Sequence, residues 1–491
     1  MESRDLLASA NTNPKRKRVS IRAPRNTHSL ALRVCIFTIL CLVTLGCGLP
    51  GSTPAPIPAG AEEVVFWHFW GGKDSAVVDS IVDQFNSSQE QYRVRAIAMP
   101  GNNLQAKLFL AVAGGDPPDL VNQDDPVLAD WARRGVISPM AKFADAHEVK
   151  SLRANLFPAA ERLSVVDDQL FGLCNGLDIR ALFYNVSALD AAGIPVPQSI
   201  EQLDAIAEHF AAPGARALSS PVGYLPDSRR LWAWGPVFGG SFYDHSNQTA
   251  TIDHAGNRAA LNWMRSYQTR YGADNLASFR QADQSLPGKT FPLLPIGDTD
   301  DVGRYVTMMD GQWRVRDIVA FQKQRMNLGK SVPKFGVCPL PFPDANGDGV
   351  PDNQGRKNAG WVNGNFFVVP SGARCPRGAW EFAKFWIGSK DAQRAAQWYV
   401  DGGWIPATQE VAATETFQQY LEATPLFKTF VDLAGSANQF PVPAVPGAAA
   451  FKREVESLAW DALMVPMDDR QLDHRVRQCQ REVDNYLGGE R

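Results

Sequence analysis

Between Glu63 and Val121 the hydrophobic pattern repeatedly changes its period, and no other feature of the chain constrains its fold as strongly. Val64 to Trp70, VVFWHFW, is an apolar run of strand length, whereas Val77, Val78, Ile81, Val82 and Phe85 recur at helical spacing. Tyr92 to Met99 alternates as a second strand, a second helix is predicted from about Asn103 to Val112, and Asp119-Leu120-Val121 is a third strand. Gly114-Gly115 end that helix and Pro117-Pro118 prevent its continuation. Strand, helix, strand, helix, strand predicts an α/β fold built on a parallel sheet with helices on both faces.

A strand covered on both faces is apolar on both, which makes Phe66, Trp67 and Phe69 core residues. Gly71-Gly72 mark its carboxyl end, and ligands of open parallel sheets collect in the crevice there. His68 and Trp70 share one face and lie nearest that rim, so they are candidate ligand contacts. Further helices are expected around 125–135, 187–193, 199–211, 255–271, 313–325, 376–388, 390–400, 414–434 and, with breaks, 447–486. Strands are expected around 181–184, 305–309, 335–339 and 365–369, and no short-period repeat is visible.

The 491 residues suit two to three domains, and 45% hydrophobic with 21% charged residues is the balance of a well-packed chain. Residues 1–46 hold eight basic residues against Glu2 and Asp5, leaving 41 basic and 50 acidic residues in the rest, a net −9. That excludes a concentrated basic face for nucleic acid. Residues 34–46, VCIFTILCLVTLG, form a short apolar run behind the basic segment, the layout of an export signal; the competing interpretation of KRKR is a nuclear address. Thr44 to Cys47, TLGC, resembles a bacterial lipoprotein signal in which Cys47 is lipidated, although Thr44 replaces the usual aliphatic residue. Residues 1–46 are then a signal peptide and 47–61, rich in Pro, Gly and Ala, a tether. Cys174, Cys338, Cys375 and Cys479 remain, and export permits a disulfide among them without selecting one. No CxxC or HExxH spacing supports zinc.

Nine segments in order carry a resemblance: FWHFWGG with VDQFN; AGGDPPDLV with DWARRGVISPM; DIRALFYNVSALDAAGIP; WAWGPVFGGSFYD with NRAALNWM; MMDGQWRV; FGVCPLPFP; GWVNGNFFVVPSGARCPRGAWEFAKFW; GGWIPA; and PAVPGAAAF. Together, over 63–487, the chain resembles the extracellular solute-binding proteins of ABC importers, in the carbohydrate-binding family that includes maltose-binding protein. The resemblance implies a type II periplasmic-binding-protein-like fold of two α/β lobes, 62–179 with 363–402 and 180–361 with 404–487, crossing near Ile179, Trp361 and Gly403. It implies a sugar between the lobes, hinge closure, a monomer with no enzymatic activity, and a membrane permease as partner.

A pyranose offers apolar C–H faces to aromatic rings and hydroxyls to Asp, Glu, Asn and Arg. Of the 13 tryptophans, Trp232, Trp234, Trp313, Trp361 and Trp404 are placed in loops near the implied crossings. The resemblance sets Asp178 at the first crossing where the family has an acid, Asp124 after the third strand where another acid sits, and Trp313 in DGQW at a sugar-stacking position. Asn363 joins them as a candidate, Arg180 either binds ligand or pairs with an acid, and Phe451 is a further aromatic candidate. A glycoside hydrolase would need a facing carboxylate pair such as Asp124 and Asp178. GKT at 288–290 and GKS at 329–331 lack the upstream glycine of a phosphate loop, and no GxSxG occurs. Among non-sugar ligands, Arg229-Arg230 keep an anionic solute such as a glycerophosphodiester, or an acidic sugar, in view, while a polyamine would need an acidic aromatic box.

Residues 344–352, DANGDGVPD, have the spacing of a structural calcium loop. Asp344, Asn346 and Asp348 stand at positions 1, 3 and 5, the Val350 carbonyl at 7 and Asp352 at 9, but Gly355 replaces the acid at 12. The alternative is a solvated turn, since turns favour the same residues.

Overall fold

The structure, a computed structural model, describes residues 57–99, 101–124, 127–211, 218–286, 290–297, 301–353 and 355–488. The export signal, Cys47 and most of the tether lie outside the described residues. From Ile57 onward the chain forms one compact unit.

Its strands are β1 (Glu62–His68), β2 (Tyr92–Ala98), β3 (Leu120–Asp124), β4 (Ile137–Ser138), β5 (Val165–Val166), β6 (Gln169–Leu170) and β7 (Gly172–Asn185). They continue as β8 (Tyr243–Asp244), β9 (Thr249–Ala250), β10 (Thr307–Gly311), β11 (Phe335–Cys338), β12 (Gly360–Pro370) and β13 (Gln439–Phe440). Nine of them form one sheet in the order β10-β7-β12-β3-β1-β2, with β11 also on β7 and β4 and β13 also on β12. β1 is parallel to both β2 and β3, as the strand–helix alternation predicts. The helix Lys73–Ser88 between β1 and β2 buries Val78, Ile81, Val82 and Phe85 at the anticipated spacing.

The rest of the sheet is mixed, where a parallel one was expected: β12 runs antiparallel to β3 and β7, and β7 antiparallel to β10 and β11. β7 is the organising element. It pairs with β12 from Gly172 to Ile179, then leaves it and pairs with β10 and β11 from Arg180 to Asn185. β12 changes partners in the same way, from β13 at Gly360-Trp361 to β7 and β3 beyond. The strands expected at 181–184 and 365–369 are thus the ends of two much longer ones, nearly every residue of which is buried.

Core lies on both faces of the sheet. Val64 and Phe66 belong to the main cluster, while Val121, Phe366 and Val368 pack with Leu104, Leu108 and Trp131 on the other side. Helices form at Ala255–Tyr271 and Trp313–Asn327 as expected, and Pro425 divides 414–434 into Glu415–Ala423 and Pro425–Ala434. The 447–486 span divides at the segment holding Pro466 into Ala448–Met464 and Asp469–Gly488. Among the described residues five α-helices were not anticipated: Ala146–Asn155, Pro158–Ser164, Leu231–Val237, Ala273–Gln284 and the short Gln409–Ala412. Cys174, Cys338, Cys375 and Cys479 are all free thiols, each pushed up to about 12 by burial. Among the described residues no helix is long and apolar enough to cross a membrane.

Candidate functional site

The place where β7 and β12 run together sets the geometry. Register pairs Asn363 with Asp178, and one step further along the same face come Trp361 and Arg180. Gln312, at the corner between β10 and the helix Trp313–Asn327, locks this point from the side. Its Nε2 donates to the Leu177 carbonyl at 3.0 Å and to Asp178 Oδ1 at 2.9 Å, while its Oε1 accepts from the Ile179 N–H at 3.1 Å. The next residue, Trp313, opens the helix, and its side chain and that of Asp178 are only half-buried.

Arg180 lies between two rings, its guanidinium carbon 4.5 Å from the Trp313 centroid and 4.9 Å from that of Trp361. Arg230 and Lys452 each approach the Trp361 ring at 5.5 Å. Cations this close to a ring face are held by the ring quadrupole. Trp361, 3% exposed, is consequently a buried platform for cations, and Trp313 retains the more open ring.

A second group forms at the carboxyl end of β1. Trp70 stacks on Trp386 with centroids 5.3 Å apart and on Trp404 at 5.6 Å. His68 sits 5.4 Å from the Phe66 ring and 5.9 Å from that of Trp70. The expected open rim is closed: Trp70 is 8% and His68 2% exposed, with Trp386 and Trp404 stacked on Trp70 and His68 between Phe66 and Trp70. Burial lowers the His68 pKa to about 4, so its ring is neutral at pH 7. The two groups are tied together where the Leu177 N–H donates to the Ile405 carbonyl at 3.1 Å, next to Trp404. Arg316 adds a second tie, bonding Asp74 Oδ1 at 2.8 Å and the Gly402 carbonyl at 3.1 Å.

The other candidates lie elsewhere. Trp232 and Trp234 are not in a loop but on the helix Leu231–Val237, every residue of which is buried. Trp234 packs on Trp263 at 4.7 Å and on Tyr224 at 6.3 Å, and Trp232 on Phe242 at 4.4 Å and on the buried Phe451 at 5.5 Å. Asp124 is exposed at the end of β3, opposite Asn365 of β12. Asn363 Oδ1 accepts from the N–H of Gly364 at 2.6 Å. Gln312 and Trp386 were missed; the amphipathic spacing of Trp380, Ala383 and Trp386 on the helix Pro376–Trp386 was the available signal for the second, and nothing local marked the first.

The contacts of residues 344–352 are those of a turn. Asp344 Oδ2 accepts from the Gly349 N–H, Asn346 Oδ1 from Asp348, Asp348 Oδ1 from Val350, and Asp352 Oδ2 from Ala345. One oxygen of each of these four side chains is thus turned to a backbone N–H, and Asp348 Oδ2 accepts from the Asn346 side chain at 3.0 Å. Among the described residues no group of three or more His, Cys, Asp or Glu is arranged to hold a metal ion, and the bonds above are those of the solvated-turn alternative.

The fold so built, two blocks of α/β structure sharing two long strands, is that of the two-lobed periplasmic binding proteins, and comparison with solved structures bears this out. CpMnBP1 with mannotriose bound superposes with a TM-score of 0.66 at 22% identity, over 86% of this chain and 99% of that one. MalE, the sugar-binding protein of the phytopathogen Xanthomonas citri, gives 0.67 at 19%, over 87% and 98%. The GacH receptor of Streptomyces glaucescens, solved unliganded and with acarbose, gives 0.65 at 18%, over 87% and 99%. Residues 80–425 match the bacterial extracellular solute-binding protein family, and the chain belongs to it. No curated protein sequence matches the chain.

Proposed function

We propose that this protein binds a mono- or oligosaccharide at the crossing of β7 and β12 and delivers it, without chemical change, to the permease of an ABC transporter. The observation that carries this is Gln312, which bonds the Asp178 carboxylate and directly precedes the half-open Trp313, whose ring meets Arg180 of the same strand as Asp178. An aromatic face beside a hydrogen-bond acceptor is what a pyranose recognises. The solved relatives named above, one with mannotriose bound and one with acarbose, favour a sugar over other solutes. Asp124 and Asp178 flank β12 on separate strands, an arrangement that does not favour the paired carboxylates of a glycoside hydrolase. The lobes divide at 179/180, 361/363 and 402/404, where β7 and β12 change partners and Ile405 touches Leu177. Membership of an extracellular family fits export, and Cys47 is the lipid anchor that would hold a monomer at the membrane.

Calorimetry of the purified chain against a panel of neutral and acidic oligosaccharides tests the assignment, with chromatography of the recovered ligand. One sugar should bind and be recovered intact. Release of a smaller sugar would move the protein to the hydrolases, and a panel without binding would end the sugar assignment.

A further inference from the structure

β12 has a second face. Val362 and Gly364 point away from Trp361 and Asn363, and a Cβ built on Gly364 would lie 3.0 Å from Leu163 Cδ1, so the helix Pro158–Ser164 packs on that side. The residues flanking Leu163, among them Glu161 and Arg162, open onto a cavity of about 740 Å³ whose far wall is formed by Trp232, the β8–β9 hairpin, Phe440, Pro441 and residues 443–445. None of Asp178, Trp313, Trp361 or Asn363 lines it. Its size falls among small-molecule sites.

The charge in this cavity is uneven. Three arginines line it, Arg133, Arg162 and Arg356, against two acids, Glu161 and Asp167. Both acids are already engaged: Glu161 Oε1 accepts from Arg153 at 2.9 Å, and Asp167 Oδ1 from Arg133 at 3.1 Å. Arg162 forms no ion pair with any described residue, and its Nη2 donates to the Gln439 carbonyl at 2.8 Å. Arg356 lies against a glycine: a Cβ on Gly239, whose φ is +88°, would fall 2.5 Å from Arg356 Nη2. Burial shifts both arginine pKa values downward, and both remain cations. The cavity also holds an open ring. Phe440 is 39% exposed on its wall.

We propose that this cavity is a second ligand site, for an anionic sugar: a pyranose bearing a carboxylate or phosphate, its C–H face on Phe440 and its anion held by Arg162 and Arg356. A guanidinium binds either anion through parallel N–H donors, and the aromatic face accepts the ring. This does not depend on what occupies the crossing-strand site.

Equilibrium dialysis of the full chain with labelled glucuronate, glucose 6-phosphate and glucose tests it. At least one anion should be retained and glucose should not. Arg162→Gln and Phe440→Ala should each reduce retention tenfold or more while leaving the thermal midpoint in place, and Trp313→Ala should leave retention unchanged. Loss of neither anion's binding in both cavity variants, retention of glucose to the same extent, or no retention at all would overturn the proposal. Retention abolished by Trp313→Ala but kept by Arg162→Gln would overturn it as well, by placing the anion at the crossing strands.

Discussion

Two sets of tryptophans meet near the crossing of β7 and β12, and they are used in opposite ways. In one, Trp70, Trp386 and Trp404 stack ring on ring, Trp386 and Trp404 being 6.0 Å apart and nearly parallel at 14°. In the other, Trp313 and Trp361 do not touch each other but hold Arg180 between them. The first set removes apolar surface from water and contributes chiefly stability. The second keeps charge at the crossing and leaves Trp313 half-open, so it is where the proposed sugar contact lies. A high tryptophan count alone would not have separated the two.

The comparison is broken most directly by truncating its most buried member. Trp386→Ala should cost about 3–5 kcal/mol of unfolding free energy, as deletion of a fully buried aromatic does, measured by guanidinium titration. Trp313→Ala, being half-open, should cost much less; equal losses would remove the distinction between the sets.

Next in size is the pH response of the ring stack. His68 titrates near 4 in the folded state against 6.5 for its ordinary value. Between those values the unfolded chain binds a proton that the folded chain refuses, so stability rises with pH across this window and falls as pH drops through it. The shift corresponds to roughly 3 kcal/mol between pH 6.5 and 4. His68→Phe should flatten that part of the stability profile relative to the wild type, and an unchanged slope would assign it to the carboxylates.

The second set is probed by affinity. Trp313→Ala should weaken binding of the identified sugar by more than ~1 kcal/mol in calorimetry, as loss of an aromatic anchor does. Trp404→Ala should act mainly on stability. The smallest effect is expected at Arg316, whose ion pair with Asp74 joins the two neighbourhoods with side chains 32% and 27% exposed. Arg316→Ala should change unfolding free energy by less than ~1 kcal/mol, and the difference should shrink in high salt.

How far the sequence reaches depends on whether local pattern or distant partners decide an element. β1, β2, β3 and the helix Lys73–Ser88 were legible because their periodicity agrees with their burial. The first half of β7 was not, since Gly172, Asn175, Gly176 and Asp178 do not look like a buried strand. Those polar groups are satisfied by remote residues: Asn122 Nδ2 donates to Asn175 Oδ1 at 3.2 Å, the Tyr399 hydroxyl to the Asn175 carbonyl at 2.8 Å, and Gln312 to Asp178. The helix Leu231–Val237 was missed for a related reason. Gly235 and Pro236 are poor helix formers, and complete burial of Trp232 and Trp234 outweighs that propensity.

What the chain's own pattern decided is the α/β class, the parallel β1–β3 core and, through nine ordered segments, membership of an extracellular solute-binding family. Those features rest on short-range periodicity and on motif order, both of which are written along the chain. Which tryptophans face each other and which face a cation, that Gln312 bridges to Asp178, and that Arg162 and Arg356 line one cavity with Phe440 were decided only in three dimensions. These are meetings of side chains tens to hundreds of residues apart, brought about by the pairing of two long strands, and no local pattern encodes such a meeting.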